Sequence, residues 1–400
     1  MKIGIIGDTH FGAGFNLGRT DPVTQMNSRL IDFVNTFNGI IDEFVKRGVK
    51  LVAITGDIYD ARYPTPVQLN VFSKCIQRAV QSNMKVVMVV GNHDQQRTNA
   101  TTTVDIYNVL DLDKIVAFPN MDVYTIDDGG KQAHLIMMPY RDRRMVTGAN
   151  TNNEAIDKIR AEVKKLTAGL KGPKIAIGHF MIDKAITGET SEVFSISELV
   201  LPLDIFSGFD AVLMGHVHRH DILSKTPLIM YVGSMEKITF GEKSHAKATV
   251  VIDTDDMTKT EIIKTKVRNL FEMDFDYTQV EKEYKHQITE QIISDIEKFD
   301  IKNSINKSIS RLSVKVKEND LYYVNHDRLK EYIINKKVSY LSPIQTSTVN
   351  TRKLRSRDIT ETVDSKTAMA SFIKNLSETE NFKKKLLKFA NSIIEEVEGK

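Results

Sequence analysis

The sequence predicts an α/β sandwich in about its first 255 residues. Short runs rich in β-branched residues alternate with helical patterns along this part of the chain. The runs are four to six residues long and continuously apolar, as expected for strands that are covered on both faces. The most polar loops come directly after these strands, where open α/β sheets form their binding sites. We therefore expect the functional residues at the ends of the strands.

The elements of this part follow one another in a regular order. Helical patterns cover about residues 25–47 and 65–82. The β-branched composition of the intervening runs favours extended backbone. The predicted strands are residues 2–6, 50–54, 85–90, 133–137, 174–177, 211–214, 228–232 and 248–252.

The pattern changes after about residue 268 to that of a small α+β unit. Its predicted elements are a helix at 289–299, a strand at 310–316, a helix at 325–335 and a short strand at 338–341. Residues 346–358 are polar and carry four basic residues between 352 and 357, so they are predicted to be a flexible basic linker. Two helices follow, at about 361–376 and 379–398, the second with a continuous apolar stripe. We expect three parts: residues 1–265, 266–345 and 346–400.

Length and composition exclude several classes of protein. The chain has 400 residues, of which 41% are hydrophobic and 27% charged, and no apolar run approaches the ~20 residues that a membrane span needs. A single cysteine, Cys75, excludes an internal disulfide and a thiolate metal cage, and is expected to be a small buried hydrophobe. The first residues form a strand pattern and not a signal peptide, so we expect a cytoplasmic protein.

The positive charge is concentrated in the last part of the chain. Residues 281–400 contain 23 Lys and Arg against 18 Asp and Glu, whereas the whole chain has a net charge of +3. A surplus of this size is more often a solvated face than a nucleic-acid surface. Charge alone therefore does not decide the function, and the motifs must.

Histidine, aspartate and asparagine residues cluster after five of the predicted strands. Half of the ten histidines lie in these loops, and four of the loops contain a glycine that permits a tight turn beside a polar side chain. A lone histidine at a strand end is usually structural, but five such loops together indicate a site. Imidazole, carboxylate and amide donors suit Mn²⁺, Fe or Zn²⁺, and seven donors are enough for two ions that share one carboxylate. The residues are Asp8, His10, Asp57, Asp60, Asn92, His93, Asp94, His179, His216 and His218.

The order D-x-H, G-D-x-x-D, G-N-H-D, G-H and G-H-x-H resembles the calcineurin-like metallophosphoesterase superfamily. The resemblance implies a four-layer αββα sandwich that holds two divalent metal ions, with Mn²⁺ favoured over Mg²⁺ and other ions. It implies that Asp57 bridges the ions, that His93 is catalytic and that Asp94 orients the ring of His93. Two such ions would activate a shared water and neutralise charge during in-line attack on phosphate. The implied ligands are Asp8, His10 and His218 for one ion, and Asn92, His179 and His216 for the other.

Three further stretches are similar to the SbcD-type DNA repair nuclease: residues 8–12, 56–66 and 231–242. That similarity implies a DNA exonuclease or endonuclease of recombination, repair and replication, with a capping domain for DNA recognition. It also implies a homodimer, and C-terminal helices that bind an SbcC-like ATPase of the SMC family. One departure is Asp60, which stands where many cellular members carry a histidine that assists exonuclease action. Phage members resemble this sequence there, which favours a bacteriophage recombination nuclease in the host cytoplasm.

Three arginines are candidates for contact with the DNA backbone. Arg19 lies in a turn beside the first metal loop, Arg62 follows the second loop, and Arg141 begins an arginine cluster after a predicted strand. For Arg19 a solvated side chain is an equally good interpretation. For Arg141 a solvated turn is the better one.

Two other functions remain open at this point. A small-molecule phosphodiesterase or a protein phosphatase would use the same ions, although the 145 residues after the core argue against a small substrate. A scaffold for an ATPase, with a degenerate site, is the non-enzymatic alternative, and the complete ligand set argues against it. The apolar stripe of the last helix closes a hairpin within the chain or binds the ATPase's coiled coil. The helices at 27–44 and 65–82 are candidates for a dimer contact, but an apolar face that only covers the sheet would look the same.

Overall fold

A computed structural model describes residues 1–95, 101–110, 112–183, 198–349, 365–374 and 379–398. The chain divides into two compact units. The first consists of Met1–Met273, Ile293–Leu312 and Asp327–Ile344, and the second of Asp274–Ile292, Ser313–His326 and Gln345–Lys400.

Strands and helices are numbered along the chain within the described residues. The strands are β1 (Lys2–Ile6), β2 (Leu51–Ile54), β3 (Lys85–Val89), β4 (Ile115–Phe118), β5 (Asp122–Asp128), β6 (Lys131–Met138), β7 (Lys174–His179), β8 (Met181–Ile182), β9 (Val200–Leu201), β10 (Ala211–Gly215), β11 (Asp221–Lys225), β12 (Leu228–Tyr231), β13 (Ala248–Asp253), β14 (Glu261–Lys264), β15 (Leu270–Asp276), β16 (Ile309–Lys317), β17 (Tyr340–Leu341) and β18 (Gln345–Val349). The α-helices are α1 (Ser28–Arg47), α2 (Pro66–Gln81), α3 (Ile106–Val109), α4 (Asn152–Thr167), α5 (Ile288–Asn303), α6 (His326–Asn335), α7 (Ser365–Lys374) and α8 (Glu380–Glu398).

Two six-stranded sheets pack face to face in the first unit. Their strand orders are β14-β13-β1-β2-β3-β4 and β11-β12-β10-β7-β6-β5. Strands β1, β2 and β3 run parallel to one another, as do β6, β7, β10 and β12. Alternate residues of each strand face opposite sides, so Ile3 and Ile5 lie in the core between the sheets, whereas Ile6 lies in the core on the outer face.

Helices cover the outer face of each sheet. Phe33 and Phe37 of α1 and Phe72 of α2 are fully buried in the core on the outer face of the first sheet. Ile159 and Val163 of α4 pack in the corresponding core of the second sheet. The arrangement confirms the predicted four-layer αββα sandwich.

Local capping explains where the first two helices begin and end. The side chain of Asn27 accepts a hydrogen bond from the backbone of Arg29, and Gly48, with φ of 71°, ends α1 in the left-handed conformation. Thr65 and Gln68 form a reciprocal capping box at the start of α2. The helices predicted at 25–47 and 65–82 are confirmed to within a turn.

Four of the strands that the sequence pattern did not predict are the outermost strands of the two six-stranded sheets. β14 and β4 are the edges of the first sheet, and β11 and β5 are the edges of the second. Strands β5, β11 and β14 are partly solvated, so they lack the continuous apolar run that indicates a strand covered on both faces. Strand β4 is a continuous apolar run of four residues that the sequence pattern left unassigned. Helix α4 was also not predicted, because its buried stripe consists only of Ala155, Ile159 and Val163.

The predicted linker from residue 346 is wrong for its first residues. Gln345–Val349 is strand β18, which pairs in parallel with residues 313–317 of β16 in the second unit. Residues 350–358 lie outside the described part of the chain. Helices α7 and α8 pack against each other in the second unit, close to the predicted bounds.

Two expectations from composition concern single features of the chain. Among the described residues, no helix combines the length and apolar character that crossing a membrane requires. Cys75 is a free, buried thiol, 3% exposed, and burial raises its pKa to about 12. Cys75 is therefore the small buried hydrophobe that the sequence predicted.

Candidate metal centre

The predicted site residues converge at the carboxyl ends of strands from both sheets. Asp8, Asp57 and Asn92 follow β1, β2 and β3, while His179 ends β7 and His216 follows β10. Because the strands within each set are parallel, their carboxyl ends share one edge of the sheet. Asp8, Asp57 and His179 are almost completely buried.

One group of side chains surrounds the end of β1. Donor atoms of Asp8, His10 and His218 all lie within 4.8 Å of one another. Nε2 of His10 is 3.0 Å from Nε2 of His218, and Nε2 of His218 is 4.0 Å from Oδ2 of Asp8. These are the three residues predicted for one ion.

A second group surrounds the side-chain amide of Asn92. Its Oδ1 is 2.9 Å from Nε2 of His179 and 3.2 Å from Nδ1 of His216. Asp57 lies between the two groups, because its Oδ2 is 3.5 Å from Nε2 of His10 and 3.4 Å from Nε2 of His179. That is the position expected of a bridging carboxylate.

Three residues of the site hold an unusual backbone conformation. The φ angles of His10, Asp57 and His216 are 40°, 45° and 88°, in the region that non-glycine residues rarely adopt. Each such residue costs on the order of 1–3 kcal/mol and persists only where its surroundings fix it. Here the backbone N–H of His10 donates to the carbonyl of Asp57 at 2.8 Å, and that of His216 donates to Oδ2 of Asp8 at 2.9 Å.

At two glycines of the motifs, a side chain is excluded because a neighbouring carboxylate lies too close, and not because the backbone makes a tight turn. A Cβ on Gly91 would lie 2.1 Å from Oδ1 of Asp57, and one on Gly215 would lie 2.2 Å from Oδ1 of Asp8. Neither glycine has a positive φ. The sequence argument from tight turns is therefore corrected at both positions: the glycines let buried carboxylates approach the backbone.

The hydrogen bonds behind the histidines direct one ring nitrogen of each towards the cluster. Nδ1 of His179 must donate to the carbonyl of Thr55, at 2.9 Å, so Nε2 faces Asn92 and Asp57. Nδ1 of His218 contacts Oε1 of Glu242 at 3.1 Å, so Nε2 faces His10. In His216 the arrangement is reversed: Nε2 bonds to Oε1 of Glu198, and Nδ1 faces Asn92. Such outer partners orient metal-binding histidines.

The buried carboxylates give the site a negative field. Burial acts to lower the pKa of His179, but Asp57 and Asp8 raise it to about 10. Burial acts to raise the pKa of Asp57, but His179 and His10 hold it well below its usual range. For Glu242, burial acts to raise the pKa, yet His218 and Lys247 keep it at about 2. The cluster therefore attracts positive charge.

These residues fit a pair of divalent cations. Bonds of about 2.1 Å to one ion place neighbouring ligand atoms about 3 Å apart. The distance of 3.0 Å between the Nε2 atoms of His10 and His218 and the distances of 2.9 Å and 3.2 Å from Oδ1 of Asn92 to His179 and His216 match that spacing. Oδ2 of Asp8 is farther from Nε2 of His218, at 4.0 Å. The mixed imidazole, carboxylate and amide donors suit Mn²⁺, Fe or Zn²⁺.

His93 lies beside the first group. Its ring meets that of His10 edge-on, with ring centroids 5.0 Å apart, and its backbone N–H donates to Oδ1 of Asp57 at 2.8 Å. Nδ1 of His93 bonds to the backbone carbonyl of Asp60 at 2.6 Å. A carbonyl only accepts, so the proton lies on Nδ1, and Nε2 is the nitrogen left for a substrate.

Asp94 has a different partner from the one predicted. Instead of orienting the ring of His93, its fully buried carboxylate accepts backbone N–H groups at 2.9 Å from Gly91, 2.9 Å from Ile58 and 3.1 Å from Tyr59. Burial and the neighbouring Asp57 raise its pKa to about 6. Asp94 thus ties together the loops that follow β2 and β3.

Asp60, the residue that departs from the family pattern, faces His10. Its Oδ1 lies 3.5 Å from Nδ1 of His10, and its side chain is 40% exposed. The same residue supplies the carbonyl that holds His93. Asp60 is therefore in contact with two of the predicted functional histidines.

The three arginines predicted for DNA lie in different surroundings. Arg141 forms an ion pair with Glu162 of α4, with Nη1 2.7 Å from Oε2. Its guanidinium thus already has an acidic partner, which favours the structural interpretation. Arg19 is exposed and Arg62 is half-buried in the loop after β2.

The sequence argument missed the residues behind the histidines. Glu198 and Glu242 lie 18 and 24 positions from the histidines that they contact. Single glutamates at such separations form no spacing pattern, and Lys247, which bonds to Glu242, belongs to no motif. The one available signal was the stretch at residues 231–242, which includes Glu242.

Comparison with known proteins identifies relatives of this fold. The sequence profile of the calcineurin-like phosphoesterases matches residues 1–220. The SbcD component of the SbcCD nuclease from Staphylococcus epidermidis is 22% identical over 246 residues, which cover 58% of this chain and 64% of that protein. The DNA double-strand break repair protein Mre11 of Sulfolobus acidocaldarius is 24% identical over 299 residues, covering 70% of this chain and 68% of that protein.

A solved dimetal phosphatase from Danio rerio aligns with 66% of this chain and 99% of its own, at 11% identity and a TM-score of 0.36. That score is too low for the likeness to inform the function. The chain spans less than two thirds of the length of the staphylococcal relative. The family match covers more than half of the chain and includes the motifs whose side chains converge here. The chain therefore belongs to the calcineurin-like phosphoesterase family.

Proposed function

We propose that this phosphoesterase is a Mn²⁺-dependent DNA nuclease that cuts phosphodiester bonds in recombination, repair and replication. The observation that carries the proposal is the convergence of seven nitrogen and oxygen donors on one edge of the sandwich. Relatives named as a nuclease component and as a DNA break repair protein support DNA as the substrate. A small-molecule phosphodiesterase or a phosphatase is the alternative that the same site would serve.

The two groups of donors would each hold one cation. Asp57 would bridge them, since it lies within 3.5 Å of a histidine from each group. When bound, two divalent ions supply a water of lowered pKa and neutralise charge on the phosphate. The ligands of one ion would be Asp8, His10 and His218, and those of the other Asn92, His179 and His216.

His93 would handle the proton of the leaving group. Its Nδ1 is held by the carbonyl of Asp60, and its backbone by Asp57, so the ring has a fixed direction. Nε2 can then hold a proton and give it to the departing oxygen of the cleaved phosphodiester. Asp94 contributes by fixing the loops that carry His93 and Asp57.

Cleavage of labelled single- and double-stranded DNA by the intact chain tests the proposal. The reaction is run with Mn²⁺, Mg²⁺ or EDTA, alongside hydrolysis of a bis-phosphodiester dye. We expect Mn²⁺-dependent cutting that falls at least ~10²-fold in His93→Ala, the usual contribution of a positioned acid. The control is His286→Ala, which removes an exposed histidine outside the cluster and should leave the rate of dye hydrolysis unchanged. Dye hydrolysis without DNA cutting, even with an ATPase partner added, would favour the small-molecule alternative.

The C-terminal helices would bind an SbcC-like ATPase of the SMC family. Phe382, Phe389 and Ile393 of α8 are 49%, 65% and 45% exposed, so packing against α7 leaves much of the apolar stripe exposed. An exposed apolar helix face is the surface that a coiled coil recognises. We expect Phe389→Glu to abolish binding of the ATPase from the same genome while dye hydrolysis stays unchanged. Lys388→Glu, an exposed neighbour, controls for charge, and retained binding by Phe389→Glu would reject the assignment.

Helices α1 and α2 would form a homodimer contact. A groove of about 700 Å³ lies between them, lined by Met26, Val34, Val67 and Val71. These residues are only partly buried, unlike the phenylalanines of the same helices that cover the sheet. Light scattering should give a dimer for the wild type and a monomer for Val71→Lys, and a wild-type monomer at high concentration would contradict the proposal.

A further inference from the structure

A buried lysine lies directly behind one of the site's histidines. The side chain of Lys247 is completely buried, and its Nζ contacts three acceptors. An ammonium group has three N–H donors, so each donor has a partner. A buried charge is tolerated only when it is paired and fully hydrogen-bonded in this way. The acceptors are the carbonyl of His218 at 2.9 Å, Oγ of Ser234 at 2.6 Å and Oε2 of Glu242 at 2.5 Å.

Glu242 connects this ammonium group to the imidazole. One carboxylate oxygen accepts from Lys247 and, at 3.2 Å, from the backbone of Ile238. The other oxygen lies 3.1 Å from Nδ1 of His218. The carboxylate is thus fixed on one side and directed at the ring on the other, which places the ring proton on Nδ1 and turns Nε2 towards the cluster.

The backbone of His218 is held by the same lysine. Its carbonyl accepts from Nζ of Lys247 and, at 3.0 Å, from the backbone N–H of Ser234. Ser234 in turn is a ligand of Lys247 through its hydroxyl. Lys247 therefore holds the main chain of His218 directly and its ring through Glu242.

The histidines of the other group are anchored elsewhere. His179 is held by the carbonyl of Thr55, and His216 by the carboxylate of Glu198. None of the described contacts of Lys247 reaches either ring. The histidines of the two groups are therefore held by different supporting residues.

From this asymmetry we propose that Lys247 and Glu242 are positioning residues for His218, and that they set the affinity of one cation position independently of the other. The inference rests on the proposed function, because it assigns Asp8, His10 and His218 to one of two ions. Loss of such an outer partner lowers metal affinity about 10- to 100-fold.

The test is a titration of the metal-free chain with Mn²⁺. The electron paramagnetic resonance signal of the free ion gives the number of sites and the affinity of each. We expect two ions for the wild type. In Lys247→Met one ion should bind with wild-type affinity and the other about 10- to 100-fold more weakly. Glu242→Gln should weaken the same ion. The control is Lys237→Met, which removes another largely buried lysine of this segment, one whose Nζ bonds to the carbonyl of Lys243 at 2.7 Å.

The outcomes separate this inference from the proposed function. Unchanged affinities in Lys247→Met overturn the inference and leave the function intact. Equal weakening of both ions in Lys247→Met and Glu242→Gln, but not in the control, also overturns it, because it means that the pair supports the whole site. A wild type that binds no pair of ions contradicts the function itself. If Lys247→Met does not fold, as judged by circular dichroism, Glu242→Gln decides by the same readings.

Discussion

Replacing Gly91 with alanine tests how closely the site depends on the position of Asp57. The new Cβ would lie 2.1 Å from Oδ1 and 2.2 Å from the backbone nitrogen of Asp57. Since real Cβ contacts are rarely below 3.0 Å, the two residues must separate by about 0.9 Å. Asp57 cannot move alone, because Oδ1 accepts from the backbone of His93 and Oδ2 lies within 3.5 Å of both His10 and His179. A shift of that size disturbs both donor groups and His93 together.

The expected cost of Gly91→Ala follows from this displacement. Misplacement of reacting groups by about 1 Å can lower a rate about 10²-fold. Overpacking of a filled interior lowers the free energy of unfolding by about 1–3 kcal/mol. The assays are Mn²⁺-dependent hydrolysis of a bis-phosphodiester dye and unfolding in urea.

Gly39 provides the matched control within the same fold. It lies in α1, and a Cβ there would meet nothing within 4 Å. Gly39→Ala should raise the free energy of unfolding by about 0.5–1 kcal/mol, because alanine favours helix, and leave activity unchanged. A folded Gly91→Ala protein with the wild-type rate would refute the reasoning about Asp57.

The remaining predictions concern the core, the thiol and the ions. Because the pKa of Cys75 is about 12, native protein at pH 8 should react with a thiol reagent about 10³-fold more slowly than the denatured chain, and rapid native labelling would contradict its burial. Phe72, whose ring centroid is 5.2 Å from that of Phe11 and 5.4 Å from that of Tyr59, should cost about 3–5 kcal/mol of unfolding free energy when replaced by alanine. Phe72→Leu should cost less, and equal losses in urea unfolding would reject the packing argument. Removing the ions with EDTA should lower the unfolding free energy by about 2.7 kcal/mol per ion held at 100 times its dissociation constant. An unchanged melting temperature would show that no ion stabilises the fold.

The sequence predicted the centre of the fold better than its edges. Interior strands such as β1 and β2 are covered on both faces, so their apolar runs are continuous and easy to recognise. Three of the four edge strands, β5, β11 and β14, carry no such run, and β18 looked like a linker because four of its five residues are exposed. Such segments become strands because they pair with a neighbouring strand, and local composition does not predict that pairing.

For the site, too, the sequence predicted the residues that lie in local motifs and missed those that only the fold brings near. Residues next to glycines at strand ends, such as Asp57 and His216, follow from short-range spacing. The supporting residues Glu198 and Lys247 are brought to the histidines only by the packing of distant segments. Asp94 was predicted as a contact of its neighbour His93, but a buried carboxylate in a tight loop satisfies backbone amides first.

The left-handed backbones of His10, Asp57 and His216 have a consequence for how ions enter the site. Hydrogen bonds within the protein hold these conformations, so folding itself places the donor atoms before an ion arrives. Metal binding would then occur at a preorganised site and would not be the last step of folding. A chain stripped of its ions should therefore keep its fold and favour ions whose radius suits the spacing of the donor atoms.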